Sequence, residues 1–196
     1  MIYKIWWDLE AEHAAHGCVT GGGEEYRPIP KCKCGVCVEP TGQVFPLELE
    51  LYGTNIGDIV WCEEYGLVVS AEIARVFAEN EITGYTEHGV EFTDWEDGSL
   101  ELLKERRSFR YLYVIGKGGR ARTLTPGIEL VRDCEVCGNK GYSQPSSGLV
   151  LSREEYDGSD LFFCDEYRFV LISERVKLIL DEVPIRNFAL TEVELR

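Results

Sequence analysis

The sequence predicts an α+β fold: two similar α/β half-units, derived from an internal duplication and joined by a four-cysteine knuckle site. Three observations predict it. A Cys-x-x-Cys pair occurs in each half, Cys34-Gly-Val-Cys37 and Cys134-Glu-Val-Cys137. A longer segment recurs without a gap, DIVWCEEYGLVV over 58–69 against DLFFCDEYRFVL over 160–171. After one extra residue, Ile172, the match resumes, with 70–92 running against 173–195. Self-similarity of this kind marks repeated structural units.

Taken in order, each half begins with its cysteine knuckle, followed by extended segments with turn residues and an apolar strand. A Ser then opens a helix in both copies. Ser70 and Ser173 are N-cap residues, because a hydroxyl accepts from an orphan backbone N–H of the first turn. Ile73, Val76 and Phe77 answer to Val176, Ile179 and Leu180 at the three-and-four spacing of one apolar helical face. A closing extended run follows, 85–92 in the first copy and 188–195 in the second. The halves are assigned to 1–104 and 105–196, which together make one compact unit.

Composition restricts what the chain does. With 196 residues and 44% hydrophobic content it buries a substantial core. No run of about 18 apolar residues spans a membrane. The start, MIYKIWWDLEAEH, turns acidic at once and lacks the apolar stretch of a signal peptide, so a cytoplasmic location is expected. The net charge of −15 and pI near 4.6 oppose nucleic-acid binding, which needs cations on phosphates, and favour encounter with basic proteins. The same acidity argues against a third reading, a zinc-ribbon nucleic-acid binder, which a gel-shift at low salt would test.

In a reducing compartment paired CxxC motifs are metal ligands or redox centres. Cys34, Cys37, Cys134 and Cys137 together supply the four thiolates of a closed, structural tetrahedral Zn²⁺ site. Gly138, directly after Cys137, suits the tight turn such a knuckle needs, whereas Val38 follows Cys37. The alternative is that these thiols are reduced surface cysteines, or that the first knuckle holds no metal. Cys32 is a spare thiol and a possible substitute ligand, while Cys62 and Cys164 fall inside apolar stretches as buried core residues.

No phosphate loop, dinucleotide fingerprint, HExxH or GxSxG occurs, and no catalytic residue is assigned. His13 and His16 sit three apart without a recognisable carboxylate partner and are read as part of a solvated stretch. The glycine-rich IGKGGRAR, between FRYLYVI and RTLTPGIEL, is read as a β-hairpin turn. The segment TDWEDGSLE sets Asp94, Glu96, Asp97 and Glu101 around Trp95 and has no counterpart after the second copy. An aromatic anchor ringed by carboxylates suits a partner surface; alternatively Trp95 tucks into the core beneath a solvated acidic loop.

The doubled CxxC motif, about a hundred residues apart, and the C-terminal DLFF…FVLISERVKLIL resemble the bacterial double-CXXCG-motif family, which includes immunity proteins of polymorphic toxin systems. The resemblance covers most of the chain and is strongest from Cys134 onward. It implies metal ligation at Cys34, Cys37, Cys134 and Cys137. It also implies a cytoplasmic, non-enzymatic protein that neutralises a cognate toxin by binding it. The competing expectation is a zinc-containing enzyme with its site between the two halves.

Overall fold

A computed structural model describes residues 1–7, 14–28, 38–62, 66–184 and 188–196. The chain begins with β1 (Ile2–Trp7) and continues into a long pair, β2 (Ala14–Pro28) and β3 (Val38–Ile56). Next come β4 (Ile59–Val60), β5 (Gly66–Ser70), α1 (Ala71–Glu79) and β6 (Tyr85–Trp95). A short α2 (Leu100–Arg106) leads to β7 (Phe109–Val114) and β8 (Gly116–Lys117). The hairpin β9 (Leu130–Asp133) and β10 (Lys140–Tyr142) precedes β11 (Val150–Leu151). Last are β12 (Leu161–Cys164), β13 (Tyr167–Ser173), α3 (Glu174–Glu182) and β14 (Phe188–Leu195).

Strands take 51% of the chain and helices 14%, in curled sheets, which overturns the α+β class and its two α/β half-units. The physical reason lies in segments without a helical period. In PLELELY, for example, Leu47, Leu49 and Leu51 are fully buried while Glu48 and Glu50 alternate with them. Strict alternation makes a half-buried strand. Each repeat contributes a single nine-residue helix to a sheet.

Two six-stranded sheets carry the fold, in the orders β2-β3-β6-β7-β5-β4 and β11-β14-β1-β13-β12-β8. Five positions correspond in sequence: β3 with β11, β6 with β14, β7 with β1, β5 with β13 and β4 with β12. Register corresponds too. Leu49 lies beside Phe92 as Leu151 lies beside Leu195, and Ser70 faces Phe109 as Ser173 faces Ile2. The Ala71 N–H donates to Ser108 O at 2.8 Å, and the Glu174 N–H to Met1 O at 3.0 Å. The extra residue Ile172 pairs in register with Leu161, and the β12–β13 ladder is irregular further along, between Phe162 and Cys164. The one displaced element is the strand between the repeat's hairpin and its closing strand. In the first sheet that strand is β7, which follows β6; in the second it is β1, from the far end of the chain.

The helices start as their sequence dictates. Ser70 Oγ accepts from Ile73 N–H and Ser173 Oγ from Val176 N–H, both at 3.4 Å. Ile73 and Phe77 of α1 meet Val176 and Leu180 of α3 in one central cluster with Leu112, Ile5, Ile59 and Leu161 from the sheets. Two further clusters serve one sheet each. The first contains Leu47, Leu49, Val60 and Cys62, and the second their repeat counterparts Leu149, Leu151, Phe162 and Cys164.

A buried carboxylate joins the two repeats. Asp160 Oδ2 accepts from the Thr83 N–H at 3.0 Å and the Thr83 hydroxyl at 3.1 Å, while Oδ1 accepts from the Ser173 hydroxyl at 2.7 Å. Nearby, Leu161 N–H donates to Thr83 O at 3.0 Å. Gly84 has φ +89°, and a Cβ there would lie 2.0 Å from Leu161 O, so only glycine permits this approach.

The expected hairpin at IGKGGRAR is corrected. β8 runs parallel to β12, with Gly116 beside Phe162, and β7 pairs with β5 and β6 instead. A Cβ on Gly116 would stand 2.2 Å from Leu161 O. Here glycine serves strand-to-strand approach rather than a turn. Arg120 pairs with Glu155, and Arg122 lies 3.8 Å from Glu166.

Candidate functional site

Cys134 and Cys137 lie at the tip of the β9–β10 hairpin. Asp133 and Lys140 form its last pair, Cys134 N–H donates to Asn139 O at 3.0 Å, and Gly138 N–H donates to Cys134 O at 2.7 Å. Gly138 takes φ +68° with nothing within 4 Å of a built Cβ, so conformation rather than space selects the glycine. Both cysteines are half-buried. The turn is the kind that brings two thiolates of one CxxC to a single ion, and the donor chemistry fits Zn²⁺.

Cys34 and Cys37, with Cys32, lie outside the described residues. The strands flanking them are described, and Pro28 pairs with Val38 at the end of the β2–β3 ladder. In sequence, the first CxxC falls between β2 and β3 of a six-stranded sheet and the second between β9 and β10, which form a separate two-stranded sheet. Among the described residues no group of three or more His, Cys, Asp and Glu is assembled to hold a metal.

The segment around Trp95 is anchored to β3. Trp95 Nε1 donates to Gly53 O at 2.7 Å, Gly53 N–H donates to Asp97 Oδ2 at 3.0 Å, and Glu96 N–H donates to Leu51 O at 3.0 Å. Trp95 packs partly buried against the cluster holding Leu49 and Leu51. A Cβ on Gly98 would enter the indole at 2.2 Å. The indole thus fastens the loop, leaving Asp94, Glu96 and Glu101 exposed at its surface.

These carboxylates continue onto the outer face of the first sheet, which sequence reasoning did not single out. Glu48 pairs with Glu91 and Glu50 with Asp94 across the parallel β3–β6 ladder. Like charges placed opposite one another destabilise a sheet. A Cβ on Gly21 would lie 2.5 Å from Glu48 Oε2, which shows that carboxylate lying across β2. The Tyr52 phenol is held above its ordinary pKa, first by its hydrogen bond to Glu50. His16 stacks on Tyr52 with ring centroids 5.4 Å apart. The alternation of Leu and Glu in LELEL carried this signal.

A groove of about 310 Å³ is lined by Trp61, Cys62 and Gly66 of the first repeat, by Tyr167 to Val170 of the second, and by Gln144. Its walls include three aromatic residues, Trp61, Tyr167 and Phe169, beside Arg168, and neither a histidine nor a carboxylate is among the described lining residues. Cys62 and Cys164 are buried at 4% and 3% exposure, and burial pushes the Cys164 thiol up to about 12, so it stays protonated. His13 lies outside the described residues. No protein-family model matches the chain, and no curated protein matches it.

Proposed function

We propose that this chain is an immunity protein that binds and neutralises a cognate bacterial toxin in the cytoplasm, without catalysing a reaction. The observation that carries the reading is the acidic sheet face. Glu48, Glu50, Glu91 and Asp94 stand opposite one another on adjacent strands, beside exposed Glu96. Such pairing costs folding stability on its own and is relieved when a basic surface covers it. The face is preorganised, because Trp95 and Asp97 fasten the loop to Gly53 and the glutamates sit on a ladder backed by buried leucines. The net charge of −15 and the resemblance to the double-CXXCG-motif family support the same reading. One structural Zn²⁺, held by Cys34, Cys37, Cys134 and Cys137, would tie the two halves together. No described helix is long and apolar enough to cross a membrane.

The experiment is co-expression with the toxic domain encoded beside this chain, together with calorimetric binding at low and high salt. Reversing Glu48, Glu50 and Glu91 to lysine is expected to weaken binding at least ~100-fold, to flatten its salt dependence and to abolish protection. Retained protection and unchanged affinity in a folded variant would remove this face from the interface.

A further inference from the structure

We infer that the slot between β13 and β14 is a strand-acceptor site that takes β1 from a second copy of this chain, giving a reciprocally arm-exchanged dimer. The slot is the displaced position of the repeat. In the first sheet the corresponding position is filled by β7, tied through α2 to its neighbour β6. In the second it is filled by β1, remote in sequence from both strands it joins. The next strand along the chain, β2, belongs to the other sheet, paired with β3. β1 is therefore an arm extending from one sheet into the other.

The interaction has the specificity of a built site. β1 keeps register with β14 over six residue pairs, from Ile2 with Val193 to Trp7 with Phe188, and with β13 over three. Ile2 and Ile5, each 2% exposed, fill two separate clusters, one with Leu151 and Val193 and one with Val176 and Leu180. The walls are held independently of β1: β13 by its hairpin with β12, and β14 by β11. An identical arm from a second chain makes every one of these contacts. Exchange of an identical element between protomers is a low-cost route to a closed dimer. Its yield rises with concentration, because the competing arm is intramolecular. The inference is independent of the toxin-binding reading.

The test uses full-length chains. Lys4 and Thr191 are directly paired across β1 and β14, so Lys4→Cys and Thr191→Cys are made in separate chains. The two are mixed, unfolded, refolded together over a hundredfold range of concentration, and oxidised. Mass spectrometry should find a 4–191 cross-link in a species of twice the chain mass, its fraction growing with concentration. The double variant in one chain reports whether the pair closes in cis. Cis cross-linking with none between chains at any concentration overturns the proposal, as does a dimer lacking the 4–191 link. Native mass spectrometry of refolded heavy- and light-isotope parent chains gives a readout without substitutions. Hybrid dimers that do not exchange on dilution are expected, and monomers alone overturn it.

Discussion

Replacing Asp160 by alanine removes the acceptor that the two repeats share. The side chain is 10% exposed and takes hydrogen bonds from the Thr83 N–H, the Thr83 hydroxyl and the Ser173 hydroxyl. Hydrogen bonds to a charged partner contribute about 1.5–3 kcal/mol each, and because Thr83 is exposed and Ser173 half-buried, water takes up part of what the stranded donors lose. Arg175, at 3.3 Å, is 51% exposed, so solvent screening leaves that ion pair little weight. Because the losses overlap, the expected cost of Asp160→Ala is about 3–5 kcal/mol rather than their sum. For a chain of this size that lowers Tm by roughly 6–20 °C. Asp160→Asn keeps an acceptor for Ser173 but turns an amide toward the Thr83 N–H, and should lie between alanine and parent. Urea denaturation followed by circular dichroism measures both. An alanine variant within about 0.5 kcal/mol of the parent, the range of an indifferent surface change, would refute the reasoning.

Purified protein should contain about one zinc per chain by elemental analysis, and Cys134→Ser or chelation should lower the melting temperature of the whole protein. Thr125→Val strips both partners from Val150, whose N–H and C=O bond the Thr125 hydroxyl at 2.8 and 2.9 Å. It should cost about 1–3 kcal/mol and raise light scattering, because the outer edge of β11 is then bare. Burial raises the folded pKa of Cys164 and of Tyr156 to about 12 in each case. Both groups bind protons more tightly folded than unfolded, so their contribution is complete below the unfolded values. It is lost as pH rises from about 9 for the thiol, or about 10 for the phenol, toward 12. Cys164→Ala should flatten the start of that alkaline loss in urea melts taken between pH 8 and 11.

Part of the fold was legible because the repeat carries local signals. Ser70 and Ser173 cap their helices, and the closing runs at 85–92 and 188–195 fall within β6 and β14. The β-rich class was missed because the strands flanking each repeat share its pairing but little of its sequence. IYKIWW and FRYLYV hold the same position, yet only a ladder reveals it. In sequence Gly116 and Gly118 look like turn residues, whereas close approach to β12 requires them; a glycine's two uses look alike in a string of letters. At the site, Gly138 after Cys137 signals a tight turn, and a turn closes the β9–β10 hairpin there. The acidic face was missed because Glu48 and Glu91 are far apart in sequence.

The position of β1 also sets a timetable for the ribosome. This strand is synthesised well before β13 and β14, the strands it pairs with, and more than 150 residues separate them. At about 5–20 residues per second it waits on the order of 10–30 s with Ile2 and Ile5 unpartnered. The first sheet's strands all emerge in that interval and can close without it. Nascent chains crowded on one polysome therefore hold waiting arms and, later, newly made slots side by side, so the geometry of translation decides whose arm each slot receives.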